Sequence, residues 1–204
     1  MRRRHHYATT GNRLLLDVSV TPRQPAVLYE RDPAVFADAR GAPANKLLMG
    51  DIARVTGDTV ELDVAVSGSA PIERIDIFDG AELLETVRPY TGADIGARVR
   101  LVYQGAEYRG RARTTTWDGT LTIEGNSILR TEVFNNWNLD RGIQRQTDTS
   151  LSWKAVTTGN FGGMDIWLAG GTAGKLSFET RHVRGGRAIA ALGLEEHIFS
   201  AGGL

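Results

Sequence analysis

Val60-Glu61-Leu62-Asp63-Val64-Ala65-Val66 decides the fold class. Apolar side chains fall at every second position, so one face of an extended chain is oily and the other polar, the period of a half-buried strand. Ile72-Glu-Arg-Ile-Asp-Ile-Phe78 follows, then Asp79-Gly80, then Ala81-Glu-Leu-Leu-Glu-Thr-Val-Arg88. Asp-Gly between two apolar runs is a hairpin signal. A four-residue loop over 79–82 sets Phe78 opposite Leu83 and Ile77 opposite Leu84. A two-residue loop would set Ile77 opposite Glu82. Cross-strand neighbours share a face, which favours the longer loop.

Downstream, Tyr108 to Trp117 runs into Asp118-Gly119, and Thr120-Leu-Thr-Ile-Glu124 runs out. Two-residue closure there pairs Trp117 with Thr120 and Arg113 with Glu124. Further strands are expected at Val99–Tyr103, Ser127–Phe134, Leu151–Thr157, Met164–Ala169, Lys175–Arg181 and Ala188–Leu192. Upstream, Arg13–Val20 reads as a strand ending at Thr21-Pro22. Residues 21–45 hold four prolines and read as a long excursion, with a short helix possible from Pro33 to Arg40. Turn residues recur along the chain, and no long amphipathic helix interrupts them. The expectation is an all-β fold, an antiparallel β-sandwich with immunoglobulin- or fibronectin-like layers and a Pro-rich excursion near the N-terminus.

Composition bounds the function. The chain has 204 residues, 41% hydrophobic and 24% charged. A chain of this length buries roughly 70% of its unfolded surface, enough to fold without a disulfide or metal. Basic and acidic residues number 24 each, so no global field marks a nucleic-acid or polyanion binder. Cysteine is absent, which removes thiol nucleophiles and cysteine-ligated metal. The Met1-Arg-Arg-Arg-His-His6 start has no apolar stretch of a signal peptide, and no run is long enough to span a membrane. The chain reads as soluble, and its compartment stays open. All six prolines lie within residues 1–89, whereas 18 of 24 glycines lie from 92 onward.

Chemical motifs are sparse. Trp167-Leu-Ala-Gly-Gly-Thr-Ala-Gly-Lys-Leu176 resembles a phosphate loop, but Ala169 and Leu176 stand where the motif needs Gly and Ser/Thr. His5, His6, His182 and His197 lack the spacing that brings two imidazoles onto one metal. No serine occupies a Gly-x-Ser-x-Gly elbow. Arg98, Arg100, Arg109, Arg111 and Arg113 concentrate positive charge, which a solvated sheet face explains better than an anion site.

The best candidate is an aromatic and amide cluster: Trp117 and Asp118; Asn135, Asn136, Trp137, Asn138 and Asp140; and Asn160 beside Phe161. Sugars are held by stacking on aromatic faces plus Asn and Asp hydrogen bonds to hydroxyls, and sandwich loops present such groups. Asn135, Asn136, Asn138 and Asp140 also carry oxygens of the kind calcium takes, although their spacing fits no known loop. Against this, Trp residues serve as core anchors and Asn residues serve turns.

Arg4-His-His-Tyr-Ala-Thr-Thr-Gly-Asn-Arg-Leu-Leu-Leu-Asp17 with Met49-Gly-Asp51 resembles the passage from a polymerase-and-histidinol-phosphatase type metallohydrolase domain into a β-sandwich. Pro71–Phe78, Gly105–Arg113, Thr116–Gly119 and Thr157–Phe161 resemble that sandwich. The family is bacterial, domain of unknown function 3604. The resemblance implies residues 1–12 as the remnant of a metallohydrolase-like domain and 13–204 as a β-sandwich lacking its last strand. It implies that the metal ligands, beginning with a His-x-His pair, lie upstream. Adjacent His5-His6 cannot replace that pair, so no catalytic residue is carried over. A divalent metal is expected only in the upstream domain. The expected partners are that domain of the same polypeptide and, through an open sheet edge, further copies of the chain, with neither nucleic acid nor membrane. The expected role is a non-catalytic accessory sandwich of a hydrolase; the alternative is a carbohydrate-binding module.

Overall fold

Antiparallel strands make up nearly all the regular structure in the computed structural model, which describes residues 4–57, 59–106 and 113–201. The all-β reading is borne out. The chain divides into two compact units, Met1–Pro89 and Tyr90–Leu204. The boundary falls where the proline-bearing part of the sequence gives way to the glycine-rich part.

In the first unit, β1 (Leu14–Pro22) pairs along its whole length with β6 (Val60–Gly68), and also with the short β4 (Leu47–Leu48). Strand β2 (Ala26–Tyr29) lies between β3 (Gly41–Ala44) and β5 (Ile52–Arg54). The stretch 21–45 is therefore corrected: it contains the β2–β3 hairpin. The segment after Pro33 forms turns closed on Asp32 rather than a helix. Pro43 is tolerated because β3 is an edge strand. Strands β7 (Ile75–Asp79) and β8 (Glu82–Val87) form the hairpin expected at Asp79-Gly80. Phe78 does face Leu83. A register shift between Ile77 and Phe78 then puts Ile77 opposite Glu85, not Leu84. Among the described residues, Pro22, Ala26 and Leu47 are the buried apolar positions in this unit, and Val60 and Leu62 on β6 stay exposed.

The second unit holds the core. After a one-turn helix α1 (Gly92–Ile95) come β9 (Arg98–Gln104), β10 (Thr115–Thr116), β11 (Gly119–Glu124), β12 (Ile128–Phe134), β13 (Gly142–Gln146), β14 (Ser150–Lys154), β15 (Val156–Thr157), β16 (Phe161–Leu168), β17 (Lys175–Thr180) and β18 (Arg184–Ala188). A five-stranded sheet runs β13-β14-β11-β17-β18, and a three-stranded sheet runs β12-β16-β9. Leu121, Ile123, Leu151, Trp153 and Leu176 from the first meet Ile128, Met164, Ile166 and Leu168 from the second in one core. This is the two-sheet packing of a sandwich. Leu121, Met164 and Ile166 are fully buried, each stabilising the fold by about 1.5–3 kcal/mol.

Two expectations fail here for physical reasons. Asp118-Gly119 does not close a hairpin. Strand β10 pairs with β15, whereas β11 pairs with β14 and β17, so the chain changes sheet at Trp117-Asp118. Glu124 faces Lys175, not Arg113. Gly119 is needed for space: a Cβ there would press on the Trp153 ring and the Glu179 carbonyl. The strand expected at Ala188–Leu192 lies earlier, as β18, and 189–191 form a 3-10 turn. Of the apolar residues near the C-terminus, Ile189 is buried and Phe199 packs edge-on against Phe178 at 5.1 Å, while Ile198 is exposed.

Candidate functional site

The loop 135–141 leaves the end of β12, and the loop 158–160 enters β16 beside it. Asn135 opens the first loop with φ +53°, a left-handed conformation that Asn tolerates. The Asn136 amide donates to the Arg141 carbonyl at 3.0 Å and braces the loop base. Asn138 Oδ1 accepts from the Asp140 amide at 3.0 Å, a turn with Leu139 at its tip. Leu139 is 95% exposed there, and Trp137, just before the turn, is 68% exposed. In the second loop, Asn160 Oδ1 accepts from the Thr158 amide at 2.8 Å.

These loops bring Asn135, Asn136, Trp137 and Asn160 together with Phe161 around an open concavity of about 530 Å³. That volume lies in the range of small-molecule sites. Its lining combines two accessible aromatic rings with three carboxamides and carries no charge. The side chain of Asn135 has no hydrogen-bond partner among the described residues, and the Asn160 amide nitrogen likewise.

The other four candidates lie elsewhere. Trp117 is buried in the core, where its indole N–H donates to Thr157 Oγ1 at 2.8 Å. Tyr103 stacks on one side of it and His182 meets it edge-on. Burial pushes the Tyr103 hydroxyl above its ordinary pKa. Asp118 Oδ1 accepts from the Ala155 amide at 3.1 Å and stands 3.6 Å from Arg141 Nη1, fixing the change of sheet. Asn138 is committed to its turn, and Asp140 is exposed within it.

The basic group also resolves in part. Arg100 Nε and Nη2 donate to Asp165 Oδ1 and Oδ2 at 2.7 and 2.8 Å, and Arg98 lies 3.9 Å from the same carboxylate. Asp165 is 8% exposed. Arg109 and Arg111 lie outside the described residues. Val102 is absent from the candidate set read from sequence, and Phe134 and Phe161 enter it only as neighbours of the amides. Their signal was the alternation along β16 and its neighbours, which turns alternate side chains to the outer face.

In the first unit, Arg4 Nε donates to the Gly50 carbonyl at 2.9 Å, and the His5 ring meets Asp51 Oδ1 at 2.9 Å. Gly50 has φ +89°, and a Cβ there would overlap the Arg4 carbonyl. Burial pushes the Asp51 carboxyl up, but the Leu48 amide, His5 and Arg4 outweigh it and hold the carboxyl below the ordinary range. Among the described residues, no three His, Asp or Glu side chains gather as a metal site, and no helix is long and apolar enough to cross a membrane. Comparison with protein-family models, with curated proteins and with solved structures gave no match.

Proposed function

We infer that the chain is a non-catalytic binding module whose loop concavity takes a neutral saccharide. The observation that carries this reading is the pairing of exposed Trp137 and Phe161 with Asn135, Asn136 and Asn160 in an uncharged lining. Aromatic faces take the C–H faces of a sugar ring, and carboxamides both donate to and accept from hydroxyls. Two ring contacts and two or three hydrogen bonds, at about 1 kcal/mol net apiece, sum to roughly 4–5 kcal/mol, a dissociation constant of about 0.2–1 mM. A glycan array tests it. Trp137→Ala abolishes the signal while leaving the melting temperature unchanged, because that ring contributes little to the core. An array blank for the parent chain overturns the reading.

A second reading is an accessory sandwich attached to a metal-dependent hydrolase of the polymerase-and-histidinol-phosphatase type. What favours it is that the two stretches carrying the resemblance, Arg4-His5 and Gly50-Asp51, are held together by the contacts above. In that reading the metal belongs to the upstream domain. The genomic sequence preceding codon one decides it: an in-frame segment with a His-x-His pair supports it, and one without any metal-ligand pattern removes it.

A further inference from the structure

Resting on the saccharide reading, we propose that the binding surface continues from the loop concavity along the outer face of the β12-β16-β9 sheet. The ligand is then an internal stretch of an extended, uncharged polysaccharide chain, not a single terminal sugar. Side chains of β16 alternate in direction, although Gly163 and Asp165 on the outer side are themselves covered. Met164 and Ile166 are fully buried in the core, so Phe161, Gly163 and Asp165 turn to the opposite face. Register places Phe134 and Val102 on either side of Gly163, and Gln104 beside Phe161.

The Phe134 ring lies over Gly163, where a Cβ would overlap it. It stands 6.5 Å from Phe161, and Phe161 and Val102 are 49% and 48% exposed. Together these side chains form an apolar strip continuous with the concavity, because Phe161 belongs to both. Glycine at 163 keeps the strip low, since any side chain there would displace Phe134 and break its continuity.

The strip has a defined far end. The Arg100 guanidinium covers Phe134 at 4.8 Å and is fixed by its two bonds to Asp165, so the charges there are paired with each other. Beyond it, Arg130 lies 3.8 Å over the Trp167 ring and closes that face to stacking. From Phe161 to Gly163 is two strand residues, about 7 Å, before the charged rung in which Asp165 lies between Glu132 and Arg100. With the concavity added, the track exceeds one sugar ring. The part from the concavity to Gly163 carries no charge, which matches a neutral chain, and the amides at the near end supply the hydroxyl contacts that an apolar strip lacks.

The test is an array carrying neutral gluco-, xylo- and manno-oligosaccharides from disaccharide to hexasaccharide, read with the full chain. The expected result is binding that tightens roughly tenfold over the series, through the added ring contacts. Val102→Asp, at an exposed position, removes that gain but keeps disaccharide binding, and Val102→Ser does the same to a lesser degree. Binding independent of length and lost in Trp137→Ala overturns the extension while the saccharide reading stands. A blank array overturns both. Self-association in sedimentation that Val102→Asp relieves, without any length dependence, assigns the strip to a second copy of the chain and overturns the proposal.

Discussion

Thr115 and Thr157 face each other across the β10–β15 pair, and both are essentially inaccessible to solvent. The same substitution, Thr→Val, is expected to move stability in opposite directions at these two positions. Thr157 Oγ1 accepts from the Trp117 indole and donates to the Gly105 carbonyl at 2.7 Å. Removing it orphans the buried indole N–H. The Gly105 carbonyl keeps the Gly159 amide as a donor, so one group, not two, is left unsatisfied. The expected loss is about 2 kcal/mol. Thr115 Oγ1 is buried without a hydrogen-bond partner among the described residues. Valine there removes an unmet polar group from an apolar site and gains about 1 kcal/mol. At roughly 4 °C for each kcal/mol in a unit of this size, calorimetry should show Thr157→Val melting about 8 °C lower and Thr115→Val about 4 °C higher. If both variants lose stability equally, the Thr115 hydroxyl is engaged and the hydrogen-bond reasoning is refuted.

The Arg100–Asp165 pair gives a second expectation. Arg100→Met leaves a mostly buried carboxylate with only the looser Arg98 contact and costs about 2–3 kcal/mol in urea unfolding, whereas Arg100→Met/Asp165→Leu recovers most of it. A single-variant loss below about 0.5 kcal/mol would place the pair with ordinary surface ion pairs. A third concerns pH. The Asp51 carboxyl is depressed in the folded state, so its contribution is complete above the unfolded value of about 3.9 and is lost as pH falls through the lower folded value. Asp51→Asn should therefore be destabilising at neutral pH and converge with the parent in strong acid; curves that stay parallel down to the acid end would sink this assignment.

The strands were legible because alternation is local. Val60–Val66, Ile75–Asp79 and the Met164–Leu168 run declare a strand by their own period, whatever they pair with, although only in the last is the apolar face buried. Strands β13, Gly-Ile-Gln-Arg-Gln, and β18, Arg-Gly-Gly-Arg-Ala, carry no such pattern. They are edge strands of the five-stranded sheet, held by backbone hydrogen bonds that any sequence can make.

Pairing itself is a long-range matter. Asp79-Gly80 and Asp118-Gly119 look alike in sequence, yet the first turns a hairpin and the second carries the chain between sheets. The difference is made by residues far away: Ala155 binds the Asp118 carboxylate through its amide, and Trp153 fills the space beside Gly119. The site shows the same division. Sequence determined that aromatic and amide side chains concentrate at Trp117, at 135–140 and at Asn160. Only tertiary structure decided that Trp117 is an anchor bonded to Thr157 inside the core while Trp137 stands in solvent beside Phe161. The fate of an indole depends on which sheet faces it, and that is fixed by strands that are distant along the chain.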